Sequence, residues 1–314
     1  DKPAMGLFAP DGKRFLAVSR TSGGGMGTAF KLEVVQIADA KPKALLTLTN
    51  LTYAQWSGDG KHVTLTRLAE QKSAALDQNM PELILVDAAT GEKKKLASDV
   101  GIIHRWFPDS KSVLALQIAS KAKEADQYSG KLVKIDVATG KAEPLASVLG
   151  GKKVFLDLSS DGGRVLFTAI KAAKAGEKVP SKSDDKPQLH ELDIKSGAVR
   201  AAKGKVAYAI YSPKGTKVLV GSQSEKGGTI ELAVGDASLE KLQTVATDAA
   251  KAAGGTGGSS DIYPGWLDDD TVHYIALHTV FGTAARNYKL ITVSADGKKR
   301  ANLQPVIDSD LMGK

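Results

Sequence analysis

The stretch Tyr53–Leu65, YAQWSGDGKHVTL, sets a tryptophan, a tight-turn signal and an alternating apolar run side by side. Asp-Gly between two apolar alternations is the strongest short-range hairpin signal, because the turn needs positive φ angles that these residues tolerate. Trp56 and Val63 mark the two sides of the turn, seven residues apart. The pair recurs as Trp106 and Val113, Leu158 and Val165, and Tyr211 and Val218. It recurs near the start as Phe8 and Phe15, and near the end as Trp266 and Val272 with a turn one residue shorter. All three tryptophans of the chain stand in one column of this alignment.

The turns between the two columns read APDGK (9–13), SGDGK (57–61), FPDSK (107–111), SSDGG (159–163), SPKGT (212–216) and LDDD (267–270). Where Ser110 replaces Gly, or Lys214 replaces Asp, a different turn type is expected. A second signal follows each turn: LILVDAATG (83–91), LVKIDVATG (132–140) and LHELDIKSG (189–197), with degenerate copies VVQIADA, LAVGDAS and LITVSADG. Each reads as a strand closed by a second tight turn, with a further short strand after it. The unit is four strands, A to D, over roughly 50 residues, the signature of a β-propeller blade. One blade cannot bury both of its sheet faces alone, but blades stacked around an axis do. The predicted fold is therefore all-β: a six-bladed β-propeller with four antiparallel strands per blade. The blades fall at about 5–50, 51–99, 100–148, 149–204, 205–248 and 249–304, with a tail at 305–314, in one domain spanning 1–314. The bulky column of Phe8, Trp56, Trp106, Tyr211 and Trp266 is expected to end strand A and pack between blades. Ring closure is expected through side-chain packing of blade 6 on blade 1, without an exchanged strand.

Antiparallel strands reverse direction, so the A–B and C–D turns share one face and the B–C and D–A connections share the other. The second face carries the long segments: 20–30, 69–81, 119–130, 171–187 and 249–260. Long loops on a rigid scaffold are where binding concentrates. The expected partner-binding residues are Arg20, Arg67, Lys121, Lys123, Lys171, Lys174, Lys178 and Arg286, on or beside these loops. The alternative for 171–187 is a solvated linker, and a turn of helix at 169–175 would have no apolar face.

The formal charge of +8 favours acidic partners or surfaces. Basic strands with interleaved surface aromatics are not found, so no nucleic-acid partner is expected. The absence of cysteine removes disulfides, thiolate metal sites and cysteine nucleophiles. No apolar run is long enough to span a bilayer as a helix. The chain begins Asp1-Lys2-Pro3 rather than with Met, which points to a mature or trimmed form and to export.

No catalytic, cofactor or metal constellation is legible. His273 and His278 lack a carboxylate at ligand spacing, and His104 reads as a structural histidine near the channel. The glycine-rich segments 22–27 and 254–260 lack the ending of a phosphate loop, and no nucleophile elbow is present. SSDGG resembles a sialidase Asp box, but its distal tryptophan position holds Val165 and Leu166. Asp157, Asp261 and Asp268–Asp270 are the carboxylates from which a paired site would have to be drawn.

The repeat SGDGK followed by LILVDAATG, and FPDSK followed by LVKIDVATG, resembles the WD40-like repeats of TolB-type six-bladed propellers over nearly the whole chain. That resemblance implies a periplasmic or secreted protein-interaction scaffold of the bacterial cell envelope, a subunit of a larger complex that binds protein partners. Because no nucleophile or metal constellation is legible, no enzyme activity and no cofactor are expected. The alternatives are a propeller enzyme of the glycan-lyase or hydrolase type, and the non-catalytic propeller of a peptidase. TolB itself carries an additional α/β domain not found in this sequence.

Overall fold

The computed structural model describes residues 2–22, 27–68, 80–122, 127–151, 155–202, 208–223, 229–236, 239, 241–250, 264–279 and 286–303. Among them are 25 strands and no helix. Blade 1 holds β1 (Lys2–Phe8), β2 (Arg14–Ser22), β3 (Ala29–Gln36) and β4 (Pro42–Thr49). Blade 2 holds β5 (Leu51–Trp56), β6 (His62–Leu68), β7 (Pro81–Asp87) and β8 (Lys93–Ala97). Blade 3 holds β9 (Val100–Trp106), β10 (Ser112–Ala122), β11 (Gln127–Asp136) and β12 (Ala142–Gly150). Blade 4 holds β13 (Leu156–Leu158), β14 (Arg164–Ala169), β16 (Gln188–Asp193) and β17 (Val199–Ala201), with β15 (Lys171–Lys174) between β14 and β16. Blade 5 holds β18 (Tyr208–Tyr211), β19 (Lys217–Gln223), β20 (Thr229–Asp236) and β21 (Leu242–Ala250). Blade 6 holds β22 (Gly265–Asp268), β23 (Thr271–Thr279), β24 (Arg286–Ser294) and β25 (Arg300–Leu303). Each blade is an antiparallel meander in chain order, and the six form a six-bladed β-propeller. Among the described residues, a single pair, Ala249 with Ala276, joins the sheets of blades 5 and 6.

The two columns read from the sequence are cross-strand partners in every blade. Phe8 faces Phe15, Trp56 faces Val63, Trp106 faces Val113, Leu158 faces Val165, Tyr211 faces Val218 and Trp266 faces Val272. The tight A–B turn between the two columns fixes this register, because in a hairpin the turn type and loop length set the pairing.

The expectation of different turns at Ser110 and Lys214 is not met. Ser110 takes φ 54°, beside 65° at Gly12 and Gly60 and 71° at Gly215. The N–H of residue 110 donates to the carbonyl of Phe107, as Gly60 does to Ser57 and Gly215 to Ser212. A serine is tolerated in this left-handed conformation because its hydroxyl finds work: Ser110 Oγ accepts the N–H of Asp59 in blade 2 at 3.0 Å. At blade 5 the turn lacks its own carboxylate, and Lys214 N–H donates instead to Asp269 of blade 6 at 2.8 Å. Two neighbouring blades thus supply what the local sequence lacks.

Apolar clusters join blades 1 and 2, 2 and 3, 3 and 4, 4 and 5, and 5 and 6. Among the described residues, none joins blade 6 to blade 1. Phe8 is accordingly 69% exposed, resting edge-on against Phe15 of its own blade. Leu267, near the end of β22 in blade 6, is 57% exposed, whereas its counterpart Phe107 is buried. The expected burial of the column holds for Trp56, Trp106 and Tyr211, and Trp266 is partly buried. It fails at Phe8, because a column residue is covered by the preceding blade and blade 1 has only the closing seam behind it. β1 pairs only with β2 and β25 only with β24, so among the described residues no strand is exchanged across that seam. The tail at 305–314 lies outside the described residues.

Candidate functional site

The face predicted to work is built around the B–C connection of blade 4. Residues 171–174, expected as loop or a turn of helix, form β15, which pairs antiparallel with the outer strand β12 of blade 3. An unpaired strand edge is a liability in any sheet, and β15 covers this one. The chain after β15 is also held: Gln127 Nε2 donates to Ser183 O at 2.6 Å, and Ser183 N–H donates to Gln127 Oε1 at 3.1 Å. Lys171 Nζ pairs with Asp185 at 2.7 Å. The segment is therefore a platform fixed to two blades rather than a solvated linker, and it exposes Lys174, Lys178, Lys182 and Lys186.

The predicted residues separate on this frame. Lys171, Lys174 and Lys178 belong to the platform. Arg20 is exposed near the end of β2, opposite Phe30. Arg67 lies on β6 and donates to Glu82 at 3.2 Å; Glu82 also pairs with Lys95. Lys121 and Arg286 lie on β10 and β24, with side chains outside the described set, and Lys123 falls outside the described residues altogether. Segment 119–130, read as a loop, is largely strand, because β10 and β11 continue pairing to Ala122 and Gln127. Segments 69–79 and 251–263 lie outside the described residues.

The inner strands carry a second arrangement. Arg105 on β9 donates from Nε to Asp157 Oδ1 at 3.0 Å and from Nη1 to the Tyr53 hydroxyl at 2.6 Å. Asp157 Oδ2 accepts the N–H of Tyr211 at 2.9 Å. Blades 2 to 5 are thus linked by one chain of charge-assisted bonds. Tyr211 continues it, donating its hydroxyl to Glu191 at 3.0 Å. Glu191, 3% exposed, also takes Arg200 Nε at 2.6 Å and lies 3.7 Å from Arg164. Burial, then the adjacent Glu191 charge, pushes the Tyr211 hydroxyl well above the usual tyrosine range. These carboxylates serve as structural acceptors, and Asp157 forms no carboxylate pair. Asp268 and Asp269 accept backbone N–H groups of turns; Asp261 lies outside the described residues. Ser159 and Asp161, the Asp-box look-alike, close the A–B turn of blade 4 on themselves.

His104 is fully buried between two hydroxyls, with Nδ1 2.9 Å from Thr66 Oγ1 and Nε2 2.7 Å from Thr64 Oγ1. Burial, reinforced by the Arg105 charge, lowers its pKa to about 3. Burial lowers His190 and His273 as well. His104 stays neutral in the fold while the unfolded chain takes up its proton near pH 6.5, so it costs stability as pH falls from there, and His190 and His273 act in the same direction. Each such histidine contributes up to about 1.4 kcal/mol per pH unit. The turn aspartates act lower. The Thr90 N–H holds Asp87 below its ordinary 3.8, as the Thr139 hydroxyl does Asp136 and the Ser196 N–H does Asp193. Their stabilising bonds are intact above that value and lost below it. Thermal unfolding scans should show Tm falling from about pH 6.5 and more steeply below about pH 4. His104→Asn should flatten the first segment; an unchanged slope would remove His104 as its source.

Arg105 and Glu191 were not singled out from the sequence. Reading the column one place before the bulky residue would have found Arg105, for it holds Gln55, Arg105 and Asp157 in three successive blades.

No family model and no curated protein sequence matches this chain. Among solved structures it is similar to TolB from Acinetobacter baumannii, with TM-score 0.56 and 18% identity over 94% of this chain and 64% of that one. It is similar to oligogalacturonate lyase in complex with manganese, with TM-score 0.61 and 12% identity over 86% and 72% of the two chains. The β-propeller domain of the Trilobed protease from Pyrococcus furiosus gives TM-score 0.60 and 13% identity over 97% and 83%. At these identities the likeness is one of fold: the TolB-like six-bladed propeller.

Proposed function

We propose that this propeller is a non-enzymatic protein-interaction scaffold of the bacterial cell envelope, periplasmic or secreted, that docks an acidic protein partner on its long-loop face. The observation that carries this reading is the blade 4 platform. A 17-residue connection (171–187) is paired to a neighbouring blade and bonded down at Gln127, yet leaves its lysines exposed. Order in a long surface segment means its conformational entropy has been lost in the free protein, so a partner meets a preformed surface. The engagement of the inner carboxylates and His104 in structural bonds supports a scaffold over an acid–base site. The resemblance of the repeats to TolB-type propellers supports the envelope.

Cross-linking and affinity capture from native membranes tests this. The double substitution Lys174→Glu and Lys178→Glu should weaken capture of the specific partner about tenfold, with wild-type binding falling as salt rises. Because both side chains are exposed, Tm should move by less than about 0.5 kcal/mol equivalent. Equal capture by wild type and variant would remove the platform from the interface. A partner-free protein that turns over a glycan would replace the scaffold with an enzyme.

A further inference from the structure

The outer strand of blade 2, β8, begins with three consecutive lysines, and strand alternation sends them to different sides. Lys93 pairs with Val86 and Lys95 with Ile84, and both partners belong to the cluster that joins blades 1 and 2. Lys94 pairs with Leu85 on the opposite side and donates to the Ala138 carbonyl of blade 3. Lys43 of blade 1 reaches the Ala89 carbonyl of blade 2 in the same way. Lys94 is therefore part of a latch between blades, and Lys93 and Lys95 are not. Lys93 is exposed and makes no ion pair among the described residues.

On the blade 1 side these two lysines border a cavity of ≈ 290 Å³, lined by Leu48 of β4 and by Arg67, Glu82, Ile84, Lys93 and Lys95 of blade 2. That volume is close to the lower bound of small-ligand pockets, room for a small ion or ester rather than an extended chain. Glu82 is the one carboxylate among these lining residues, and it serves two cations, Arg67 at 3.2 Å and Lys95 at 3.4 Å. Both contacts are longer than the roughly 2.7–2.9 Å of a strong charge-assisted bond. Three cations on one carboxylate leave a surplus of two positive charges in the lining. The surplus is accessible, because Lys93 is exposed and the Lys95 side chain is 57% exposed beside its shared partner.

We propose that this groove is a binding site for a phosphate monoester, held between the Lys93 and Lys95 ammonium groups. The charge selects the ligand. A carboxylate or a sulfate ester carries one negative charge and leaves the groove positive, whereas a phosphate monoester above its second pKa of about 6 carries close to two. Lysine ammonium groups are compact point charges on flexible stems, so two of them can close on the terminal oxygens of one phosphate. Glu82 stays with Arg67, and the ligand takes the lysines that one carboxylate does not satisfy. The groove stands on the flank between blades 1 and 2, apart from the blade 4 platform, and owes nothing to the partner proposed there.

Isothermal titration calorimetry of the full chain with methyl phosphate, at fixed ionic strength and about pH 7.5, tests this. One saturable site is expected. Lys93→Gln and Lys95→Gln should each weaken it by roughly threefold or more, and methyl sulfate, of the same shape with one charge, should bind roughly fivefold more weakly. Lys94→Gln removes an equal charge from the same strand but from its other side, and should leave the affinity within about twofold. Lys93 and Lys95 are exposed, so circular dichroism should show both variants folded. Equal weakening in Lys94→Gln would reduce the effect to the general surface charge and overturn the site. So would methyl sulfate binding as tightly as methyl phosphate, or no saturable binding. Cosedimentation with phosphatidic acid vesicles, lost in Lys93→Gln, would support the site and assign its phosphate to a lipid headgroup. Methyl phosphate binding without cosedimentation would support it and assign a soluble ester.

Discussion

Asp157→Ala lowers the unfolding free energy by about 3–5 kcal/mol, the cost of stripping the partner from a mostly buried charge. The carboxylate sits between Arg105 and the Tyr211 N–H, at 3.0 and 2.9 Å. Its removal leaves a guanidinium that still has Tyr53 and the His104 carbonyl as neutral acceptors but no counter-charge. It also leaves a buried backbone donor without an acceptor, which by itself costs about 1–3 kcal/mol. Chemical denaturation should show the loss as a shift of midpoint. Arg105→Met combined with Asp157→Leu removes both charges together and should recover the part due to the unpaired charge, leaving the cost of the unpaired Tyr211 N–H, because a buried pair is about break-even against apolar side chains of similar volume. If the single substitution costs under about 1 kcal/mol, the link between blades 2 and 5 is not held by this pair.

Phe167→Ala should cost about 3–5 kcal/mol, whereas Phe8→Ala should cost under about 0.5 kcal/mol. Phe167 is 1% exposed on β14, in the cluster joining blades 3 and 4, with its ring stacked on His190 at 5.4 Å. Its loss leaves a cavity between two blades that rigid strands cannot collapse to fill. Phe8 is the same residue type at the head of blade 1, but most of its surface is already in water. Comparable losses at the two positions, measured by denaturation, would mean that the closing seam buries Phe8 in solution. The contrast also predicts where unfolding starts: hydrogen exchange in β1 should be faster than in β14.

The repeat made the fold legible because a blade is a local object. The partner of Trp56 is Val63, seven residues away, and the turn between them is written in the same few letters. Tight turns, alternating burial and a period near 50 residues need no knowledge of distant chain. The turns at Ser110 and Lys214 depart from the sequence expectation for the complementary reason. Local preference alone disfavours the same turn at Ser110 and Lys214, while their supporting hydrogen bonds involve Asp59 and Asp269, 51 and 55 residues away.

The candidate sites stand further from the sequence. Nothing in KAAK at 171–174 marks a strand, since its pairing exists only because the outer edge of blade 3 stands beside it. Nothing near Trp106 sets its indole apart, yet Trp56 and Trp266 each donate to a carbonyl of the preceding blade and Trp106 has no partner among the described residues. The sequence alone determined the blades, their number, their register and which face carries the long connections, because each depends on residues close together along the chain. Only the tertiary structure decided which lysines stand on a fixed platform, that Arg105 and Asp157 together tie four blades, and that the seam leaves Phe8 uncovered. Those outcomes depend on neighbours from other blades, brought together by blades burying their flanks against each other.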